Sequence, residues 1–209
     1  VVTGAAHHAT KPMVSVVMPA YNNAAHIGEA LDSVFAQDYP HFEVLVVDDG
    51  STDDTPQVLA RYRDEKRIRV LSQANAGSAA ARNLGIREAR GHYVAFLDAD
   101  DVWWRGKLSY QVQALGEEGM RMAYSKFIWW RTDADGRHPP AAQELERKDH
   151  LQLSSASATT GWMYAPLLLD CVVWTSTVIV ERDMLLEAGL FDVELRKGQD
   201  YDLWLKLSR

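Results

Sequence analysis

The side chains best suited to chemistry in this chain are aspartates, and they arrive in bursts. Tyr93-Val94-Ala95-Phe96-Leu97 is a short β-favouring apolar run that breaks abruptly into Asp98-Ala99-Asp100-Asp101. Such a run reads as a buried strand whose carboxyl end delivers acid groups to a crevice. Carboxylate oxygens suit hard divalent cations such as magnesium or manganese. Asp98 and Asp100, one residue apart, can both be aimed into one site as the chain leaves the strand. A diphosphate would fill the remaining positions of such a cation. Aspartates also cap helices and brace turns by accepting orphan backbone N–H groups, so one Asp-X-Asp decides little. The pattern recurs upstream: Phe42-Glu43-Val44-Leu45-Val46-Val47 breaks into Asp48-Asp49-Gly50-Ser51-Thr52-Asp53. Two strands that each end in an acid-rich turn place those turns side by side on one rim of a parallel sheet.

The elements that must position these turns follow from periodicity. Met13 to Met18 is a β-branched run ended by Pro19, hence a first buried strand. After the loop Ala20-Tyr21-Asn22-Asn23, either asparagine can cap a helix carrying Ile27, Leu31, Val34 and Phe35, which Tyr39-Pro40 ends. Ser51 or Thr52 caps a helix carrying Val58, Leu59 and Tyr62, and Ile68 to Leu71 returns as a strand. Gln73 to Gly77 is a turn, followed by an Ala-rich helix from about Ser78 to Ala89 with Arg82 and Asn83 in its first turns. This strand–helix alternation implies a right-handed, mostly parallel α/β sheet flanked by helices.

Beyond the second acid turn, Trp103-Trp104 and Lys107 to Leu115 read as a helix with Leu108, Val112 and Leu115 as its apolar stripe. Met122-Ala123-Tyr124 and Phe127-Ile128-Trp129-Trp130 read as strands, with a hairpin turn at Asp135-Gly136. The composition from Pro139 to Gly161 shifts to charged and then Ser/Ala/Thr residues, a long excursion. Thr175 to Val180 is a strand and Asp183 to Ala188 a helix closed by Gly189. Lys197-Gly198-Gln199-Asp200-Tyr201-Asp202 then leads into an amphipathic helix begun by Leu203, Trp204 and Leu207, which breaks off at Arg209 and so points to a longer parent protein.

At 209 residues, 47% hydrophobic and 24% charged, the chain fits one globular domain, here 12–209 behind a loose tail at 1–11. The 22 basic against 29 acidic residues, net −7, argue against nonspecific binding to nucleic acid or anionic membrane. A single cysteine, Cys171, excludes an internal disulfide and points to a reducing compartment, with core packing favoured over nucleophilic chemistry. No apolar segment reaches about 18 residues, so a spanning helix is not expected. Val1 to Lys11 lacks the basic and apolar regions of a signal peptide.

Taken together, Val16-Val17-Met18-Pro19-Ala20-Tyr21-Asn22, Val46 to Asp53, Ala80-Ala81-Arg82-Asn83-Leu84-Gly85, Phe96 to Asp101 and Gly198-Gln199-Asp200-Tyr201-Asp202-Leu203-Trp204-Leu205 resemble the family 2 glycosyltransferases, in that family's order. The resemblance covers about Lys11 to the C-terminus. It implies the GT-A fold, a Rossmann-like nucleotide-diphospho-sugar transferase domain with a nucleotide-binding part at about 12–101 and a smaller mixed acceptor-side part at about 102–209. It further implies a divalent cation (manganese or magnesium), inversion at the anomeric carbon, and a donor expected to be a UDP-sugar. The acceptor would be a hydroxyl of a glycan, lipid carrier or small molecule, and the compartment the cytoplasm, either free or at the inner face of a membrane.

Carried over by position, Tyr21 lies against the nucleotide base, with Pro19 and Ala20 shaping its loop; base–aromatic stacking is worth ~1–3 kcal/mol. Asp48 accepts a hydrogen bond from base or ribose, while Asp49 supports the turn. Gly77 permits the turn before the helix on which Arg82 faces base or diphosphate with opposing charge; Asn83 braces a loop. Asp98 and Ala99 line the ribose or the metal's water shell, and Asp100 is the direct metal ligand. The cation would stabilise the departing diphosphate. Asp200 is the candidate general base, because inversion needs one carboxylate opposite the leaving group; Asp202 competes for that role. Many relatives have Glu-Asp where this chain has Gln199-Asp200. Trp103, Trp174 and Trp204 are candidate sugar-stacking faces, with core packing favoured for Trp204. A noncatalytic sugar-nucleotide binder stands as the alternative. A sugar-nucleotide nucleotidyltransferase fits less well, since Pro19-Ala20-Tyr21-Asn22 is neither Gly-rich nor basic. No Gly-X-Gly-X-X-Gly follows a strand, which excludes a dehydrogenase.

Overall fold

The structure, a computed structural model, describes residues 12–127, 163–169 and 173–209. The tail 1–11, Ile128 to Trp130, the Asp135-Gly136 turn, the 139–161 excursion and Cys171 lie outside the described residues. The elements are β1 (Val14–Ala20), α1 (Ile27–Phe35), β2 (Phe42–Asp48), α2 (Thr55–Leu59) with a 3-10 turn Ala60–Tyr62, β3 (Ile68–Ser72), α3 (Ser78–Glu88) and β4 (Tyr93–Phe96). They continue with α4 (Lys107–Glu118), β5 (Met122–Tyr124), α5 (Tyr164–Leu169), a 3-10 turn Thr175–Thr177, β6 (Val178–Glu181), α6 (Arg182–Glu187) and α7 (Gln199–Leu207).

The described strands form one sheet in the order β3-β2-β1-β4-β6-β5. β3, β2, β1 and β4 run parallel, and β6 is antiparallel to both β4 and β5. The register sets Ala20, Asp48 and Ser72 in line at the carboxyl ends of β1, β2 and β3. Because β6 runs the other way, the residues that precede it reach the same rim.

The apolar strands are buried on both faces, as a parallel sheet sandwiched between helices requires. Val16, Met18, Val44, Val46 and Ala95 face a core shared with α1 and α4, while Val17, Leu45, Val94 and Phe96 face one shared with α3, α6 and α7. Trp204 on α7 is fully buried in the second core, its ring 6.2 Å from Phe96 and 6.0 Å from Phe191. It is therefore core and no sugar platform.

α3 approaches the sheet closely because its inner face is small. A Cβ placed on Gly85 would lie 2.5 Å from Val17 Cγ1. That close approach sinks the middle of α3 far enough to bury Ala81, Arg82 and Asn83.

Several boundaries differ from the sequence reading. Pro19 does not end β1 but pairs with Val47 inside it. Leu97 N–H bonds Val17 and Asp49 N–H bonds Ala20, so alternation turns the backbone groups of residue 19 toward β4. Pairing with β4 has ended by then, at Val17↔Phe96, and the missing proline N–H costs no ladder bond. Neither Asn22 nor Asn23 caps α1, and neither Ser51 nor Thr52 caps α2. These side chains instead lace the two loops together: Asn22 Oδ1 accepts the N–H groups of Thr52 (2.8 Å) and Asp53 (3.3 Å), and Ser51 Oγ accepts the N–H of Asn22 (2.9 Å). Trp103-Trp104 precede α4 rather than belonging to it. Residues 175–177 form a 3-10 turn before the strand, and the last helix starts at Gln199, four residues ahead of the expected Leu203. Among the described residues no helix is long and apolar enough to cross a membrane.

Candidate active site

The two acid turns and the start of α7 meet on the carboxyl rim of the parallel strands. In the first turn, Asp48 is 8% exposed and its Oδ1 accepts the Ser51 N–H at 3.0 Å. Asp49 is consumed structurally: its carboxylate accepts Gln73 Nε2 (2.7 Å) and the N–H groups of Ala76 (2.9 Å) and Gly77 (2.8 Å). This ties the β2 exit to the start of α3. Gly77 has φ 89°, and a Cβ placed on it would meet nothing within 4 Å, so backbone conformation, not space, demands glycine there. Tyr21 stands half-exposed at the rim with its N–H on Asn23 Oδ1. Pro19 and Ala20 are buried strand residues beside it.

In the second turn Ala99 is buried and the acids diverge. Asp98 pairs with Arg82, Nη2 to Oδ1 2.5 Å. Arg82 is buried under the ring of Phe191, 5.5 Å from its centroid, and its Nε has no hydrogen-bond partner among the described residues. A buried guanidinium with a donor left unpartnered carries a desolvation cost, and its charge sits directly behind the acid turn. Asp100 is exposed, and its carboxylate bonds no other described residue. Asp101 is held above the usual carboxylate range, first by desolvation and then by the charges of Asp98 and Asp100, with a hydrogen bond from Ser176 opposing.

Among the described residues no three His, Cys, Asp or Glu side chains gather into a metal cage. One free carboxylate beside a second, ion-paired one is still a fitting donor set for magnesium or manganese. Such ions keep several waters and are commonly held by one or two carboxylates plus substrate phosphates.

Next to the second turn, across residues 175–176, Asp200 lies in the first turn of α7, where its charge complements the helix dipole. Its Oδ2 accepts the Thr175 hydroxyl at 3.2 Å and its Oδ1 accepts the Tyr201 N–H at 2.9 Å. Asp202 instead pairs with Lys206 at 2.7 Å. Gln199 Nε2 reaches Ser78 Oγ at the start of α3, 3.0 Å. Asn83 braces the chain before α7 through reciprocal bonds to the backbone of Phe191, 2.8 and 3.0 Å.

Thr175, Ser176, Phe191 and Lys107 are residues of this region that sequence reasoning missed. Thr175 and Ser176 open a β-branched run and read as strand. Lys107 is wholly buried, with Nζ on Gln111 Oε1 (2.7 Å) and 3.9 Å from the Trp103 ring, and burial pushes its ammonium down to about 7. Trp103 itself is buried with Nε1 on the Ser176 carbonyl, 2.7 Å, so it is no sugar-stacking face. Trp174 remains half-exposed, its ring 4.9 Å from Phe127. A cleft of about 370 Å³ lined by Asp48, Pro56, Leu59, Tyr62, Ile68 and Ser72 opens on the β3 side of Asp48, away from the second acid turn.

Comparison with known proteins agrees with this architecture. Residues 15–162 match the model of glycosyl transferase family 2. An uncharacterized glycosyltransferase of Rickettsia felis is 32% identical over 202 residues, 96% of this chain but 31% of its own length, so this chain spans about a third of that relative. A UDP-Glc:alpha-D-GlcNAc-diphosphoundecaprenol beta-1,3-glucosyltransferase of Escherichia coli, WfgD, is 30% identical over 198 residues, 94% of this chain and 70% of that one. Among solved structures, S. aureus TarS in complex with UDP superposes with a TM-score of 0.67 at 26% identity, over 94% of this chain and 55% of that one. The mannosyltransferase PcManGT of Pyrobaculum calidifontis, in complex with GDP-Man and Mn2+, does so with a TM-score of 0.67 at 25% identity, over 93% and 51%. A doubly covered, mostly parallel sheet with acid turns on one rim, matched by a family model along most of its length, has one reading: the chain is a GT-A domain and belongs to glycosyl transferase family 2.

Proposed function

We propose that this domain catalyses inverting transfer of a sugar from a UDP-linked donor to a hydroxyl of a lipid-linked or other glycan acceptor, at the inner face of a membrane. Residues 12–101 bind the nucleotide and 102–209 the acceptor side. The observation that carries this reading is the placement of one open carboxylate, Asp100, and one braced carboxylate, Asp200, at separate points of a single rim. UDP in TarS supports the nucleotide, and the name of WfgD supports both UDP-glucose and a diphospholipid-linked acceptor.

Tyr21 offers an aromatic face to the base, and Asp48, half its carboxylate still open, accepts from base or ribose. Arg82 sets a positive charge against the donor's negative charge from behind the turn, while its Nη2 holds Asp98 toward the ribose. Asp100, with Asp98 behind it, would hold a divalent cation, which when bound neutralises charge on the leaving diphosphate. Asp200 takes the proton of the acceptor hydroxyl as that oxygen attacks the anomeric carbon, and the bond to the diphosphate oxygen breaks on the opposite face. No covalent intermediate with the protein forms.

The test pairs titration of UDP with manganese against transfer from UDP-glucose to a GlcNAc-diphosphate-lipid acceptor. Asp200→Asn keeps UDP binding while transfer falls by roughly a thousandfold, the range of a lost general base. Near-normal transfer in that variant would move the base to Asp202. Binding without turnover in the unaltered protein would leave a sugar-nucleotide-binding domain.

A further inference from the structure

Two neighbouring side chains between the acid turn and the general base have no role in the reaction so far. Thr175 is 6% exposed, and its hydroxyl donates to Asp200 Oδ2 at 3.2 Å. Ser176, next in sequence, accepts the Asp98 N–H on its Oγ at 3.0 Å. One peptide unit thus joins the start of α7 to the acid turn after β4, parts of the chain about a hundred residues apart.

The turn that does this is rigid. Trp174 carbonyl accepts both the N–H (2.9 Å) and the hydroxyl (2.6 Å) of Thr177, closing the 3-10 turn on itself. Below it, the Thr177 carbonyl takes Gln111 Nε2 (2.8 Å) and Ser125 N–H (3.3 Å), and the Ser176 carbonyl takes Trp103 Nε1. Thr175 cannot shift without moving Ser176.

We infer that residues 175–176 are a two-sided positioning element that sets the general base at a fixed separation from the acid turn: Thr175 orients the Asp200 carboxylate and Ser176 fixes the backbone that presents Asp98 and Asp100. This rests on the reading of Asp200 as the base. In-line displacement tolerates little error in the attacking geometry, and a misplacement of about 1 Å costs on the order of a hundredfold in rate. One oxygen of Asp200 is tied to its own helix by Tyr201 N–H, so the Thr175 bond is what fixes the carboxylate's rotation.

A structural role alone predicts different behaviour. Thr175→Val keeps the shape and removes the donor. It is expected to lower kcat about tenfold, the scale of one hydrogen bond to a charged group, with KM for UDP-glucose within about twofold. Thr175→Ser restores the hydroxyl and most of kcat. Ser176→Ala gives the opposite split, weakening manganese-dependent UDP binding about tenfold. If Thr175→Val fails to fold, as read from its thermal unfolding midpoint, Thr175→Ala takes its place in the comparison with Ser. An unchanged kcat in the hydroxyl-free variant overturns the inference, as does a loss that Ser does not rescue or that moves kcat and KM together. Asp200→Asn, run alongside, separates the failures: normal transfer there defeats the base assignment itself, whereas loss of transfer there with normal Thr175→Val defeats only the positioning role.

Discussion

The two acid turns of this protein have the same sequence signature and opposite fates. After β2, two of the carboxylates are spent inside the protein and Asp48 gives one oxygen to the Ser51 N–H: Asp49 holds three donors of the 73–77 segment, and Asp53 holds Thr55 through its backbone N–H (2.9 Å) and hydroxyl (2.5 Å) as well as Ala24 N–H (3.1 Å). After β4, Asp98 is tied by a buried arginine, Asp100 is exposed and bonds no other described residue, and Asp101 sits among like charges. The difference is one of donors. The loops flanking the first turn are rich in backbone N–H groups with no ladder partner, and they absorb its acids. The second turn faces a few donors from α3 and the 175–177 turn, and an acid is left over. A carboxylate not needed by the fold is one available to a cation.

The sharpest way to break this contrast is Asp100→Asn. It should abolish manganese-dependent UDP binding, by roughly a thousandfold in titration, with an unchanged thermal midpoint; unaltered binding would remove Asp100 from any metal site. Asp49→Ala is the converse. By denaturant unfolding it should lose about 2–4 kcal/mol, since two backbone N–H groups and Gln73 lose a charged acceptor. A loss under about 0.5 kcal/mol would show that the first turn does not depend on its acids.

The segments downstream of the two turns differ too, for the second runs on to the buried Lys107. Its ammonium titrates near 7 in the fold against 10.5 unfolded. The unfolded chain therefore binds more protons across that window, and stability should climb as pH rises from about 7 toward 10.5. Lys107→Met should be the more stable form at pH 6 by on the order of 2 kcal/mol, the Trp103 face and Gln111 having offset part of the desolvation, and this advantage should shrink by pH 10. A pH-independent difference would mean the lysine stays charged.

The smallest expected effect tests the turns directly. The Thr55 hydroxyl beside Asp53 lowers its pKa in the fold, so its stabilisation is present at neutral pH and lost as pH falls through the folded value. Asp101 is raised, chiefly by desolvation, so its contribution is full below the unfolded pKa and lost as pH rises through the folded one. Asp53→Asn should thus be less stable than the parent near pH 7, and Asp101→Asn more stable, with both differences fading toward pH 3. The same sign for both would erase the distinction between the turns.

Much of the scaffold was legible because apolar runs of period two and helices of period 3.6 are local properties. Val14 to Met18, Phe42 to Val47 and Tyr93 to Phe96 are strands in the fold, and the Ala-rich α3 lies where its composition places it. Asp49 as a turn support and Trp204 as core were also readable, the first from its neighbours and the second from its helical stripe. The caps were not. Asn22, Ser51 and Thr52 have the right chemistry to start helices, but each met a partner about thirty residues away that the loops brought closer. Thr175 and Ser176 looked like strand because β-branching is local, whereas their partners Asp200 and Asp98 arrive from other elements.

By itself, then, the order of residues determined the alternation of strand and helix, and with it the rim on which acid turns must gather, because a parallel sheet leaves every strand's carboxyl end on the same side. Only the tertiary structure decided which acids remain free. A carboxylate becomes a brace or a ligand according to how many donors the surrounding chain leaves unsatisfied beside it, and that count is a property of packing, not of sequence.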